Sequence, residues 1–147
     1  MTEVEIEGSV LGQWRELTED DQLYCVLFSG EGEAHTNEEY CRRMPYKKRM
    51  FYGDATLALM FNDMLNHPSF PFTDVVVETI DVKYTDRLFV GDRVRTAFRI
   101  EHQFPDSDVS DRRRVRVSLY GLGEDAVAMR SSLVLHGTAN QDGNQNV

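Results

Sequence analysis

The stretch GDATLALMFNDMLN, residues 53–66, decides the fold. Apolar side chains fall on nearly every side of a helix built from it, and a helix that is apolar all round is expected to be buried. Gly53 and Asp54 precede the apolar segment, and aspartate is a residue type favoured at a helix N-cap. We therefore predict a buried central helix that begins just after these two residues.

Strand-like sequence follows this helix. β-Branched residues and a two-residue alternation run through DVVVETIDVKYT (74–85), RVRTAFRIEHQF (93–104), RRRVRVSLYGLG (112–123) and AVAMRSSLVLHG (126–137). A turn is predicted at VGD (90–92) and a tight hairpin around residues 121–125. Because the strands follow the helix instead of alternating with other helices, the pattern predicts an α+β protein. We expect a curved antiparallel sheet wrapped around the central helix, which is the hot-dog fold.

Short helices are predicted before the central one. Thr18 and Asp21 are spaced as a capping pair at a helix entry, and Thr36 with Glu39 matches a capping box for a second helix. Pro45 limits that second helix to about two turns. A basic loop follows, in which Lys47 and Lys48 are candidates for binding an anionic ligand.

Composition and charge restrict the class of protein. A chain of 147 residues with 41% hydrophobic residues is the size of one domain, predicted to span residues 1–137 with a disordered polar tail at 138–147. The net charge of −9 argues against a nucleic-acid partner, since phosphate backbones bind basic surfaces. Cys25 and Cys41 lack the spacing of a zinc site or a disulfide framework. The N-terminus shows no signal peptide and no segment is apolar enough to span a membrane, so a cytoplasmic protein is expected.

Three blocks of sequence carry a resemblance to a known family. They are LTEDDQLYCVLFSGEGEAHTNEEYC (17–41), MFYGDATLALM (50–60) and VKYTDRLFVGDRV (82–94). In this order they resemble the MaoC-like dehydratases, which include the R-specific enoyl-CoA hydratases, over roughly residues 10 to 137. The resemblance implies a hydro-lyase that hydrates an enoyl thioester or dehydrates a 3-hydroxyacyl thioester. His35 matches the catalytic histidine, Glu31 takes the place of its aspartate partner, and Gly53 matches the glycine whose N–H binds the thioester carbonyl.

The chain departs from the family pattern around these residues. The loop before His35 is one residue shorter, with Glu33 and Ala34 where the family has Asn-Pro, so either Glu31 or Glu33 can be the carboxylate. Tyr52 replaces a second histidine, and Phe61 replaces a small hydroxylic residue on the central helix. Tyr52, Asp54, Glu33, Lys47 and Lys48 are predicted to contact substrate.

Two other functions are compatible with the same sequence. One is an acyl thioesterase in which Asp54 or a loop glutamate activates water, and the other is a catalytically silent subunit that binds an acyl group. All three readings imply an acyl thioester of coenzyme A or of a carrier protein, with no cofactor and no metal. A homodimer is expected because a hot-dog sheet has an exposed edge strand that pairing would cover.

Overall fold

A computed structural model describes residues 3–23, 32–106 and 111–140. It contains the short strands β1 (Val10–Leu11) and β2 (Arg15–Glu16) and the short helices α1 (Glu33–Thr36) and α2 (Glu38–Arg42). These are followed by the long helix α3 (Gly53–Leu65) and by four long strands: β3 (Phe72–Tyr84), β4 (Arg93–Pro105), β5 (Arg112–Gly123) and β6 (Val127–Ala139). All four predicted strands are therefore confirmed.

The strands form one antiparallel sheet of six strands in the order β1-β4-β5-β6-β3, with β2 also paired to β4. Helix α3 lies against one face of this sheet and contacts β4 and β5. The predicted turn at residues 90–92 is present, and Gly91 supplies a positive φ of 94° that side chains other than glycine rarely adopt. The predicted hot-dog arrangement, a helix against an antiparallel sheet, is confirmed, and the long strand β3 lies at one edge of the sheet.

One face of α3 forms the centre of the hydrophobic core. Ala55, Thr56, Met60 and Met64 are buried against inward residues of the sheet, whereas Ala58 on the opposite side is exposed. The apolar residues between these two faces are half-buried. The helix is central, as predicted, but within a single chain the sheet covers only one of its sides.

Two predicted helix starts are wrong by one residue or more. Helix α3 begins at Gly53 with Tyr52 as its N-cap, so Asp54 lies in the first turn and does not cap the helix. Helix α2 is capped by Asn37, whose side chain accepts a hydrogen bond from the Tyr40 N–H, instead of by Thr36. Thr36 belongs to α1, which ends immediately before the extended Asn37.

The capping pair at residue 18 is confirmed. The Asp21 N–H donates to Thr18 Oγ1 at 3.2 Å, and the Thr18 N–H donates to the Asp21 carboxylate at 3.0 Å. Helix follows at residues 19–23, and it carries the buried Gln22. This reciprocal cap fixes where Gln22 enters the core, since it sets the first turn of the helix.

Candidate active site

Gln22 joins the two segments that carry the predicted site. Its side chain is only 2% exposed. The Nε2 group donates to the carbonyl oxygens of His35 and Met50 at 3.0 and 2.8 Å, and Oε1 accepts from the Tyr52 N–H at 2.9 Å. Both donors and one acceptor position of this buried amide are thereby satisfied, which is what burial of a polar group requires. Gln22 therefore holds the His35 segment against the strand-like residues that lead into α3.

His35 is half-buried, and a backbone carbonyl sets its tautomer. Its Nδ1 lies 2.9 Å from the Met50 carbonyl oxygen. A carbonyl only accepts hydrogen bonds, so Nδ1 carries the hydrogen and Nε2 of the neutral ring has the free lone pair. The ring packs on Tyr52 with 4.2 Å between the ring centroids. The geometry thus presents Nε2 as a base in a fixed orientation.

His35 lines a pocket of about 420 Å³ at the N-terminus of α3. This volume is in the range of sites for small ligands. The lining residues come from four parts of the chain: the His35 helix, the start of α3 with its preceding residues, the end of β3 with the turn after it, and β6. They are His35, Met50, Phe51, Gly53, Thr56, Tyr84, Thr85, Asp86, Arg87, Leu88 and Ala128. The pocket therefore brings His35 and Gly53, predicted from separate motifs, to one cavity.

Gly53 is the first residue of α3, and its N–H is one of the groups that a helix leaves without an intrahelical partner. The first backbone hydrogen bond of the helix runs from the Thr56 N–H to the Tyr52 carbonyl. The positive end of the helix dipole reinforces these N–H groups as sites for a developing negative charge. Gly53 can therefore stabilise an oxyanion in the pocket.

Tyr84, at the end of β3, covers Gly53. A methyl group at Gly53 would lie 2.9 Å from Tyr84 Cζ, so only glycine allows the aromatic ring to approach this closely. The Tyr84 hydroxyl donates to Asp54 Oδ1 at 3.0 Å. Burial of the phenol, followed by its hydrogen bond to the Asp54 carboxylate, raises the pKa of Tyr84. Tyr84 is therefore a neutral hydroxyl that engages the carboxylate which sequence reasoning assigned to an N-cap.

The other predicted residues that the structure describes are not among those that line this pocket. Glu33 is exposed at the start of α1 and does not line the pocket, and Lys47 is exposed in the loop with φ of 52°. The Lys48 ammonium lies 5.8 Å from the centroid of the Phe89 ring. Glu31 lies outside the described residues. The choice between the two glutamates therefore stays a prediction, although Glu33 is not placed at the cavity.

The basic segment before α3 is largely neutralised by carboxylates. Arg42 pairs with Glu38 and Arg43 with Glu39, each four residues apart on α2. Arg49 forms a two-contact ion pair with Glu19. Three arginines of the basic segment therefore already have anionic partners, whereas Lys47 and Lys48, the candidates for anion binding, form no ion pair among the described residues.

Sequence reasoning missed four residues that shape the site: Gln22, Thr56, Tyr84 and Arg87. Gln22 lies in a run of polar residues that gives no signal of burial. Thr56 lines the pocket, and its hydroxyl donates to the Tyr52 carbonyl at 3.3 Å. Tyr84 could have been found, since the alternation of β3 places it on the same face as Val82.

Within residues 3–23, 32–106 and 111–140, no group of three metal-ligating side chains is arranged to hold an ion. No helix in the same part of the chain has the length and apolar character needed to cross a membrane.

Solved structures share this fold over nearly the whole chain. A MaoC-like dehydratase from Rhodospirillum rubrum superposes with a TM-score of 0.76 at 13% identity, covering 93% of this chain and 94% of that one. An (R)-hydratase from A. caviae involved in PHA biosynthesis gives 0.71 at 13% identity, covering 90% and 96%.

A 3R-hydroxyacyl-ACP dehydratase complex from Mycobacterium tuberculosis gives a TM-score of 0.70 at 13% identity, covering 92% of this chain and 100% of that one. No protein-family model and no curated sequence matches the chain. At such identities the likeness is one of fold. The chain has the hot-dog fold of MaoC-like dehydratases and R-hydratases, as the three sequence blocks predicted.

Proposed function

We propose that this protein is a hydro-lyase of the MaoC-like kind, which interconverts an enoyl thioester and a 3-hydroxyacyl thioester. One observation carries the proposal: a histidine with a free Nε2 and the glycine that begins α3 line the same pocket. Hydration needs both a base for water and a donor for the enolate oxygen. The fold likeness to dehydratases and hydratases supports the same reaction.

The proposed hydration assigns one task to each group. His35 Nε2 takes a proton from water while the water oxygen bonds to the β-carbon of the enoyl group. The electrons of the double bond move toward the thioester carbonyl, whose oxygen accepts a hydrogen bond from the Gly53 N–H. The α-carbon then takes a proton from a loop carboxylic acid, for which Glu31 is the first candidate and Glu33 the second. The proton on His35 returns to that carboxylate and restores the starting state.

Thioester hydrolysis is the second candidate, because Asp54 offers a carboxylate at the same helix terminus. The Asp54 side chain, however, accepts a hydrogen bond from the Tyr84 hydroxyl, and Asp54 is not among the residues that line the pocket. Activation of water by Asp54 would require that contact to break. This geometry favours the lyase.

A panel of enoyl, 3-hydroxyacyl and saturated acyl thioesters of coenzyme A separates the functions. Double-bond absorbance and free thiol are followed in parallel on purified protein. A change in absorbance without thiol release supports the lyase. Thiol release indicates the hydrolase, and neither signal with any substrate would contradict both enzymatic proposals and favour a silent acyl-binding subunit.

We also propose a homodimer in which β3 pairs with β3 of a second copy. Val76, Val77 and Ile80 on this edge strand are 56%, 37% and 48% exposed, an unusual exposure for β-branched residues in a long strand. Val77 and Ile80 pair in register with the buried Leu135 and Leu133, so they belong to the face that carries α3. A second copy would cover these residues and close the open side of the pocket beside Tyr84.

A further inference from the structure

Two cations near the pocket, Arg87 and Lys48, differ from the three arginines of the basic segment at residues 42–49. Arg42, Arg43 and Arg49 are each paired with a glutamate. Among the described residues, no ion pair involves Arg87 or Lys48, and both side chains are exposed. Their charges are therefore available to an anionic ligand.

Aromatic rings hold these two cations in place. The Arg87 guanidinium lies 5.7 Å from the centroid of the Tyr46 ring, and the Lys48 ammonium lies 5.8 Å from that of Phe89. The two rings are themselves in contact, with 5.9 Å between their centroids. Cation–π contacts at this range are attractive and restrict the orientation of long side chains. We call Arg87, Tyr46, Phe89 and Lys48 the cation–aromatic cluster.

The cluster lies at the rim of the candidate active site. Arg87 and Leu88 line the pocket directly, and the Phe51 N–H donates to the Leu88 carbonyl at 2.7 Å. Met50 and Phe89 form an isolated antiparallel bridge. These two backbone contacts place the cluster beside the segment that leads into α3, and Arg87 belongs to both the cluster and the pocket lining.

The surroundings of Arg87 select the side on which an anion can bind. Its other flank borders a smaller pocket lined by four carboxylates, Asp86, Asp92, Glu124 and Asp125, and by Arg93, which pairs with Glu124. Of these carboxylates, only Asp86 also lines the candidate active-site pocket. On the Tyr46 side, the neighbouring charge is Lys48. For a chain with net charge −9, an anion is attracted only where cations outnumber carboxylates locally.

We propose that the cation–aromatic cluster binds the phosphate at the end of a phosphopantetheine arm whose thioester occupies the pocket. The planar guanidinium of Arg87 suits two hydrogen bonds to phosphate oxygens, and Lys48 adds a second positive charge. The inference rests on the proposed acyl-thioester function. It assigns phosphate binding to Arg87 and Lys48, whereas the sequence analysis assigned anion binding to Lys47 and Lys48 in the basic loop. The phosphate is common to coenzyme A and to carrier-bound substrates.

The test uses inert ligands, so it does not depend on catalysis. Butyl thioethers of pantetheine, 4′-phosphopantetheine and coenzyme A are titrated into the intact protein by calorimetry, and a butyl-phosphopantetheinyl carrier protein is the fourth ligand. The variants are Arg87→Met, Arg87→Lys and Lys48→Met. Arg116→Met is the matched control, because Arg116 is an exposed cation between the buried Val115 and Val117 and therefore points away from α3.

We expect wild-type protein to bind the phosphopantetheine ligand about tenfold more tightly than pantetheine, as one charge-assisted contact would give. Arg87→Met and Lys48→Met should each remove most of this difference while leaving pantetheine affinity unchanged. Arg87→Lys should recover part of it, and Arg116→Met should have no effect. A preference for coenzyme A over the carrier ligand, or the reverse, identifies the source of the phosphate.

Equal affinities of wild-type protein for pantetheine and phosphopantetheine would overturn the inference while leaving the proposed reaction intact. An equal loss in Arg116→Met would also overturn it, because the effect would then be one of overall charge. Retention of the phosphate preference in a protein that catalyses no thioester reaction would instead support the inference and reject the proposed enzyme. Binding of none of the four ligands would reject both.

Discussion

Replacing Gln22 with glutamate tests the structural basis of the site with almost no change in shape. The substitution exchanges the Nε2 group, which donates to the carbonyls of His35 and Met50, for an oxygen. In the ionised form, the carboxylate oxygen at this position faces two carbonyl oxygens with no hydrogen between them. The hydrogen bond from the Tyr52 N–H to the other oxygen can remain. The change therefore isolates the two donated hydrogen bonds.

The magnitude follows from the burial of this side chain. Each lost hydrogen bond contributes about 1 kcal/mol net, and leaving the partly buried His35 carbonyl without a partner adds about 1 kcal/mol. We therefore expect the free energy of unfolding to fall by about 3 kcal/mol. For a chain of this length that corresponds to a decrease in Tm of roughly 6–12 °C.

The dependence on pH gives a sharper signature. A carboxyl group buried like Gln22, at 2% exposure, has its pKa raised by desolvation. On acidification it becomes a carboxylic acid that donates one hydrogen bond, so part of the loss should be recovered at pH 5 relative to pH 8. Thermal unfolding and urea titration of wild type and Gln22→Glu at both pH values measure this recovery.

The exposed Gln13 provides the matched control, since Gln13→Glu adds the same charge outside the core. It should shift Tm by less than about 2 °C, as surface substitutions usually do. Equal Tm values for Gln22→Glu and Gln13→Glu at pH 8 would refute the assignment of Gln22 as the residue that holds the His35 segment in place.

Two further predictions concern the sheet. Hydrogen bonds to Asp106 and then Glu78 raise the pKa of His136, while Arg114 and then His136 lower the pKa of Glu78 to about 2. The stabilisation by His136 is therefore complete below the pKa of about 6.5 that histidine has in the unfolded chain, and it is lost as the pH rises through the higher pKa of the folded state. The stabilisation by Glu78 is lost in the opposite direction, as the pH falls from about 4.5 toward 2. The Tm difference between wild type and His136→Gln should be largest near pH 5.5 and small at pH 9. A difference that does not change with pH would contradict the ion pairs of His136 with Glu78 and Asp106. Wild-type protein should sediment as a dimer at micromolar concentration and Ile80→Arg as a monomer, and a wild-type monomer would refute pairing through β3.

The strands could be predicted from the sequence because each is long and rich in β-branched residues. The burial of β5 and β6 follows a two-residue period, so a one-residue shift would expose their buried face. The burial of β3 does not alternate in this way, and its pairing with β6 contains two register shifts. The two helix starts could not be fixed in the same way. Thr36 and Asn37 are both good capping residues, and only the short helix α1 that ends at Thr36 decides between them.

The candidate site was predictable where short motifs carry it and not where distant residues meet. His35 and Gly53 were singled out from the resemblance, and they line one pocket. The role of Asp54 depends on Tyr84, thirty residues further along the chain, which a local pattern cannot reveal. The pairing of Arg42 and Arg43 was readable in advance, because Glu38 and Glu39 precede them by the helical spacing of four.

The most direct test of the central claim is the turnover of His35→Ala in hydration of a short trans-2-enoyl thioester of coenzyme A, followed by double-bond absorbance. If His35 Nε2 is the base, kcat should fall by ~10²–10⁴-fold while the cooperative unfolding transition remains. Glu31→Gln should lower kcat comparably, Glu33→Gln should be milder, and the double variant of His35 and Glu31 should lose little more, since the members of one catalytic unit are not additive. Full turnover by a folded His35→Ala protein would contradict the proposed mechanism.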